Sequence, residues 1–310
     1  MLLQLWSEFM PKTILVTGGT VFVSKYVAQY FAAKGDRVYV LNRNTRPQPE
    51  QTILIEADRH QLGNQLKNYH FDAVIDVTAY TRADIAALCD ALGEFGQYIM
   101  ISSSAVYPEG NPQPFTEEQA VGPNCFWGKY GTDKIEAEQE LQKRVPDSYI
   151  LRPPYLYGPM NDVYRESFVF DCARLGRKFY LPRDGEMQLQ FFYIEDLCKC
   201  IDGILEQKPK ERIYNVGNPD IITVKDWVKL CYEIAGRPCE LVPVHKDIEQ
   251  REYFSFYDYE YQLDVSKQKI LLSKTKPLKD GLTEAYLWYE AHVNEIGRKP
   301  YIQYIDANLI

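Results

Sequence analysis

Apolar positions change period repeatedly along the chain. Residues 14–16 form a short apolar run that breaks at Gly18-Gly19. Val23, Val27, Tyr30 and Phe31 then recur at helical spacing, and Gly35 fits a helix stop. Further short runs at 37–41, 52–55, 73–77 and 98–101 read as strands, with a helical stretch at 84–92 before the last of them. Residues 108–124, rich in Pro, Gly and Asn, read as a loop. A helix over 126–144 and a strand over 148–151 follow. This alternation predicts an α/β fold, a doubly wound parallel sheet covered by helices on both faces.

Beyond Gly158 the pattern is less regular. Strand-like 191–194, helical 196–207 and strand-like 213–216 are expected to return to the main sheet. The expected organisation is a dinucleotide-type domain over 10–159, with 190–220 rejoining it. Residues 160–189 and 221–290 would form a smaller discontinuous substrate domain, and 291–310 a C-terminal tail. The Tyr-rich run 253–261 is expected to be an aromatic-packed segment of the smaller domain.

Composition narrows the chemistry. The 310 residues are 45% hydrophobic and 14% aromatic, enough to fill a large core. The net charge of −8 argues against a broad nucleic-acid-binding face, so no nucleic-acid partner is expected. Seven cysteines at irregular spacing read as reduced thiols. The four histidines are scattered, so no metal site is expected. Residues 1–9 lack the features of a targeting segment and read as an extension ahead of the fold. No apolar run is long enough for a membrane helix, and the cytoplasm is assigned by elimination.

Gly18 and Gly19 lie between a strand and a helix, where backbone amides can approach a pyrophosphate. Val21 and Ser24 stand where the usual fingerprint has further glycines. At the end of the second strand, Asn42 cannot repel a 2′-phosphate and Arg43 can pair with one, so the cofactor reads as NAD or NADP with a lean towards NADP. Asp58-Arg59 follows the third strand, where Asp58 could accept from an adenine amino group. A plain strand-to-helix turn and a surface arginine are the competing readings of these segments.

Tyr130 and Lys134 are spaced i,i+4 and share one helix face. A tyrosine needs a neighbouring positive charge to act as a base near neutrality. Tyr130 is the candidate acid/base and Lys134 its cationic partner. Ser103, at the end of the fifth strand, is the candidate donor to the same substrate oxygen.

These blocks resemble the extended short-chain dehydrogenase/reductases of the NAD-dependent epimerase/dehydratase family. The resemblance rests on Thr17-Gly-Gly-Thr20, Ser102-Ser-Ser-Ala-Val-Tyr107, Tyr130-Gly-Thr-Asp-Lys134 with Glu138, and Leu151-Arg-Pro-Pro-Tyr-Leu-Tyr-Gly-Pro159. Phe192-Tyr-Ile-Glu-Asp196, Tyr214-Asn-Val-Gly217, Asp264-Val-Ser-Lys267 and Gly281-Leu-Thr-Glu284 extend it over residues 10 to about 290. It implies a Rossmann domain of about seven strands and a Ser103–Tyr130–Lys134 triad. Cofactor contacts are implied at Gly18, Gly19, Phe22, Asp58, Thr78 and Ala79. Thr20, Val23, Ser102 and Pro154, with Asn42, Arg43 and Arg59, complete the candidate cofactor set.

Ser104 and Tyr155 are the candidate substrate contacts. A homodimer through helices near 81–93 and 126–144 is also implied. The implied reaction is hydride transfer at a secondary alcohol or ketone of a sugar or nucleotide-sugar, by an epimerase or reductase. The turn Gly-Gly-Thr-x-Phe is similar to an atypical branch of the family, some of whose plastid relatives bind RNA. A non-catalytic or RNA-associated dinucleotide-binding protein is therefore the alternative. Ser104-Ala105 replaces the Asp-Glu of 4,6-dehydratases, which disfavours that reaction. Tyr155 and Leu189 replace the Asn and Arg that serve nucleotide-sugar substrates, which weakens that substrate class.

Overall fold

The opening apolar run folds as β1, Thr13–Thr17, at the switch point of a seven-stranded sheet. The structure is a computed structural model that describes residues 11–310; the expected extension over residues 1–9 lies outside them. From β1 the chain winds outwards through α1 (Phe22–Ala33), β2 (Arg37–Asn42) and β3 (Ile53–Glu56). It then crosses back to β4 (His70–Asp76) on the other side of β1 and continues through α2 (Arg82–Ala91), β5 (Glu94–Ile101), α3 (Lys129–Arg144) and β6 (Tyr149–Arg152). The strand order is β10-β6-β5-β4-β1-β2-β3, with β10 at Ile213–Asn215. Every pairing in this sheet is parallel. Crevices for ligands open where such an order reverses, here at the carboxyl ends of β1 and β4.

Successive strand residues face opposite sides of the sheet. Ile14, Val16, Val40, Ile75 and Ile99 belong to a core shared with Val27 and Phe31 of α1. Leu15, Tyr39, Val74 and Tyr98 pack instead with Ile85 and Leu88 of α2 and Leu141 of α3. The short central strands are buried on both faces, which explains their near-continuous apolar runs.

The expectation that 191–194 rejoins the main sheet is corrected. β9 (Gln188–Tyr193) lies in a separate three-stranded sheet between β7 (Tyr155–Tyr157) and β11 (Ile221–Thr223). Only β10 reaches the main sheet. β8 (Phe179–Pro182) pairs with β12 (Leu241–Val244). Around these small sheets pack α4 (Glu166–Arg174), α5 (Ile194–Gln207), α6 (Val224–Ile234), α7 (Leu278–Ala291) and α8 (Tyr301–Asn308).

The helix expected from 126 starts at Lys129, because Gly128 has φ +50° and residues 126–128 form a turn. The Tyr-rich segment packs as expected. Phe256 meets Trp227 edge-on at 5.4 Å and Tyr155 at 4.7 Å, contacts that each contribute about 0.5–1.5 kcal/mol beyond their buried area. Among the described residues, no helix is long and apolar enough to cross a membrane, and no three candidate metal ligands cluster.

Candidate active site

β1 ends at the buried Thr17, which joins the two strands flanking the crevice. Its hydroxyl donates to Asp76 Oδ1 at 2.7 Å and accepts from the Val77 and Thr78 amides. Gly18 and Gly19 follow with φ of +88° and +94°. A Cβ on Gly19 would stand 2.6 Å from Val40, so the turn presses against β2 too closely for any side chain. The Ser24 hydroxyl donates to the Val21 carbonyl, and its small side chain fits the tight helix–strand contact. Val21 caps α1 with extended backbone and no side-chain hydrogen bond to the opening turn. The first amides of α1 are therefore not consumed by a capping side chain, and the helix's positive end faces the crevice. Glycine cradle and uncapped helix start fit a dinucleotide's pyrophosphate.

The adenosine side departs from expectation. Asn42 donates to the Gly18 carbonyl at 2.7 Å and to Gln48 at 2.9 Å, so it braces the glycine turn. Arg43 is exposed. The Asp58 carboxylate accepts from the His60 amide and caps a short turn. Arg59, expected at the cofactor, turns inwards: it grips Asp76 through both terminal guanidinium nitrogens and also donates to Thr78 Oγ1 and, through Nε, to the Asp84 carbonyl. Burial pushes the Asp76 carboxyl up, but Arg59, with hydrogen bonds from Tyr98 and Thr17, outweighs it and holds the group below its ordinary range. Arg59 is a structural counter-ion beneath the switch point.

α3 brings the reactive groups in. Gly131 lies where a Cβ would come 2.4 Å from the Ala105 carbonyl, so glycine lets the helix close onto the turn after β5. Lys134 Nζ donates to the carbonyls of Ala79 at 2.7 Å and Ile101 at 2.9 Å. It also lies 4.8 Å from the centre of the Tyr80 ring. Burial lowers its pKa to about 8 despite the opposing pull of Asp76 and Glu138. Tyr130 is 41% exposed and lines the cleft. Desolvation there pushes the phenol up; a hydrogen bond with Ser103 and the charge of Arg165 pull the other way.

The three adjacent serines have different partners. Ser102 donates to Glu138, Ser103 accepts from the Ala105 amide and faces Tyr130, and Ser104 donates to the Tyr261 hydroxyl at 3.1 Å.

One cleft of about 390 Å³ collects Ser103, Tyr130 and Lys134 with Phe22, Val23, Thr78, Ser102, Pro154, Ser104 and Tyr155. Gly18, Gly19, Thr20, Asn42, Arg43, Asp58, Arg59 and Ala79 are not among its walls. Sequence reasoning did not place Tyr80, Trp127, Asp162 or Tyr261 here, although all four line the cleft. Trp127 carried a signal, three positions before Tyr130. Tyr261 carried none, because its place depends on the fold of the small domain. Arg165 also lines the cleft and lies 4.9 Å from the Tyr155 ring.

The chain is similar to known proteins along most of its length. It is 27% identical over 301 residues to the chloroplast stem-loop binding protein of 41 kDa b from Arabidopsis thaliana, covering 89% of this chain and 78% of that protein. It is 27% identical over 232 residues to a probable GDP-L-fucose synthase 1 from Oryza sativa subsp. japonica, covering 68% and 66%. Its fold matches the UDP-glucose 4-epimerase of Thermotoga maritima with a TM-score of 0.75 at 20% identity, covering 91% of this chain and 99% of that one. It matches the dTDP-glucose 4,6-dehydratase of Bacillus anthracis, in complex with NAD, at 0.74 and 18% identity, covering 92% and 98%. The model of the NAD dependent epimerase/dehydratase family matches residues 14–217. With the seven-stranded parallel sheet, the glycine turn and the Ser–Tyr–Lys cleft, this places the chain in the NAD dependent epimerase/dehydratase family.

Proposed function

We propose that this protein binds a nicotinamide dinucleotide across the carboxyl ends of β1 and β4 and interconverts a secondary alcohol and a ketone on a sugar-like substrate. The observation that carries this reading is the convergence of Ser103, Tyr130 and Lys134, from two separate elements, on one cleft. The opening amides of α1 would hold the pyrophosphate, and Lys134 the nicotinamide ribose. The bound cofactor would supply the hydride acceptor or donor. Tyr130 takes the proton of the substrate hydroxyl or returns it, and Ser103 holds the same oxygen. The Ser103 hydrogen bond and the charge of Arg165 favour the phenolate form against the desolvation that opposes it. Ser104 and Ala105 offer no second acid/base pair, which disfavours elimination of water. Exposed Arg43, at the end of β2, supports NADP over NAD.

The comparisons lend more to a second reading, that of an RNA-associated dinucleotide-binding protein without turnover. The relative matched over 89% of this chain is named for stem-loop binding. The net charge of −8, which argued against a nucleic-acid partner, does not remove that possibility, since a local basic patch suffices.

One set of titrations separates the two. NAD, NADP and their reduced forms are titrated calorimetrically into wild type and Tyr130→Phe, and a stem-loop RNA is titrated at low and high salt. The first reading expects cofactor binding in both proteins, with turnover lowered about 10²–10⁴-fold by Tyr130→Phe once a substrate is supplied. A salt-sensitive RNA complex together with cofactor binding but no turnover would favour the second.

A further inference from the structure

A second cavity of about 260 Å³ adjoins the catalytic cleft, and Trp127, Tyr130, Tyr155, Val163 and Arg165 are walls of both. Its polar lining is dominated by Arg165, Arg251 and Lys299, and no carboxylate lines it. Arg165 and Arg251 are half-buried and Lys299 is exposed, whereas the more deeply buried Arg59 and Arg152 are paired with Asp76 and Glu138. Here, among the described residues, none of the three cations has a carboxylate within 4.0 Å.

Arg165 lies 4.9 Å from the Tyr155 ring and donates only a long 3.4 Å contact to the Leu156 carbonyl. Arg251 lies 4.7 Å from the Tyr257 ring and donates to the Ser255 carbonyl. Lys299 is pushed below its ordinary range, first by partial burial and then by the two guanidiniums. Three like charges converge with their repulsion uncompensated, an arrangement an anion would relieve.

We propose that this cavity is an anion subsite, holding the terminal phosphate or carboxylate of a compact sugar whose reacting carbinol carbon lies at Tyr130. The size of this cavity, beside a cleft of about 390 Å³, suits the charged end of a compact ligand. Pockets for drug-sized ligands run from ~300 to 1,000 Å³, and this one lies below that range, walled by Tyr164, Phe256, Tyr257 and Tyr301. A nucleoside diphosphate needs more room and a polar exit. The two positions that serve nucleotide-sugars in the resemblance are here Tyr155 and Leu189, both buried. Lys299 and Tyr301 come from the segment after α7, so the C-terminal end of the chain completes the site. The carbinol placement rests on the hydride-transfer reading; the anion subsite is read by binding alone.

The test titrates inorganic phosphate, glucose 6-phosphate, glucuronate and UDP-glucose into the full chain and into Arg251→Gln and Lys299→Gln, without cofactor. Thermal midpoints report whether each variant is folded, and exposed Lys299 keeps the test open if Arg251→Gln unfolds. Saturable binding of glucose 6-phosphate or glucuronate, weakened roughly tenfold or more in a folded variant, is the expected result, and the stronger of the two names the anion.

Three results would overturn the proposal: no anion binding, affinities unchanged in both variants, or tighter binding of UDP-glucose than of either sugar anion. A stem-loop RNA complex lost in Lys299→Gln while the sugar anions do not bind would overturn it too, in favour of nucleic acid. A parallel titration of NAD and NADP separates the two claims. Anion binding without binding of either NAD or NADP removes the hydride reading and keeps the subsite, and cofactor binding without anion binding does the reverse.

Discussion

Arg152 and Glu138 form a bidentate ion pair that is almost fully buried, with Nε to Oε1 at 3.0 Å and Nη2 to Oε2 at 2.5 Å. Glu138 lies one helical turn beyond Lys134, and it also accepts from Ser102 at the end of β5. Tyr107 receives a further bond from Arg152 and passes it on to Asn215. The pair therefore ties α3 to β5, β6 and β10. Removing one partner of such a pair leaves a buried charge unpaired, at a cost of about 3–5 kcal/mol. Glu138→Ala should lower unfolding free energy by that amount in urea. An apolar replacement of both partners should be milder than Glu138→Ala alone, and an equal loss would show that packing rather than charge is at stake.

Lys134 makes stability depend on pH in a defined window. Its folded pKa of about 8 lies below the ordinary 10.5. Between these values the unfolded chain binds more protons than the folded one, so this group makes stability rise with pH from about 8 to 10.5 and contributes no slope below about 8. Urea unfolding of wild type and Lys134→Met at pH 7, 8, 9 and 10 should show the wild type gaining on the variant across the upper part of the series. A constant difference would mean that the amine is not perturbed. The slope is the readout, because the substitution also leaves the Ala79 and Ile101 carbonyls without their donor.

Gly19 is held against Val40, where a Cβ would come within 2.6 Å, and its φ of +94° disfavours any other residue. Gly19→Ala should destabilise the fold by about 1–3 kcal/mol and weaken dinucleotide binding. Adding Val40→Ala opens space beside the new methyl group and should recover part of the binding, although it opens a cavity of its own. The check is NAD affinity by calorimetry across the two single variants and the double variant.

Arg43 and Arg59 should separate cleanly. If Arg43 pairs with a 2′-phosphate, Arg43→Ala removes a charge-assisted contact of about 1.5–3 kcal/mol, roughly 10- to 100-fold in NADP affinity, and leaves NAD affinity unchanged. Arg59→Met should instead lower thermal stability, because Asp76 loses its counter-ion. Equal effects of Arg43→Ala on both cofactors would assign it a surface role.

Local pattern determined most of the main sheet, because strand and helix periods, glycine turns and the i,i+4 spacing of Tyr130 and Lys134 are properties of neighbouring residues. Ser103, at the end of an apolar run, was legible for the same reason. The tertiary structure alone decided the partners. Residues 191–194 and 213–216 read alike as strands, yet one joins the small sheet and the other the main sheet. Arg59 follows a strand end as a cofactor residue would, but Asp76 on β4 lies close enough to claim it. Asn42 is likewise taken by the Gly18 carbonyl.

Arg165, Arg251 and Lys299 are far apart in the chain, and nothing in their local sequence marks them as one cluster. They meet because the residue capping α4, the short turn before the Tyr-rich segment and the segment after α7 pack around the same cavity. A side chain's period follows from its neighbours along the backbone, whereas its charge partner follows from which elements the core stacks together.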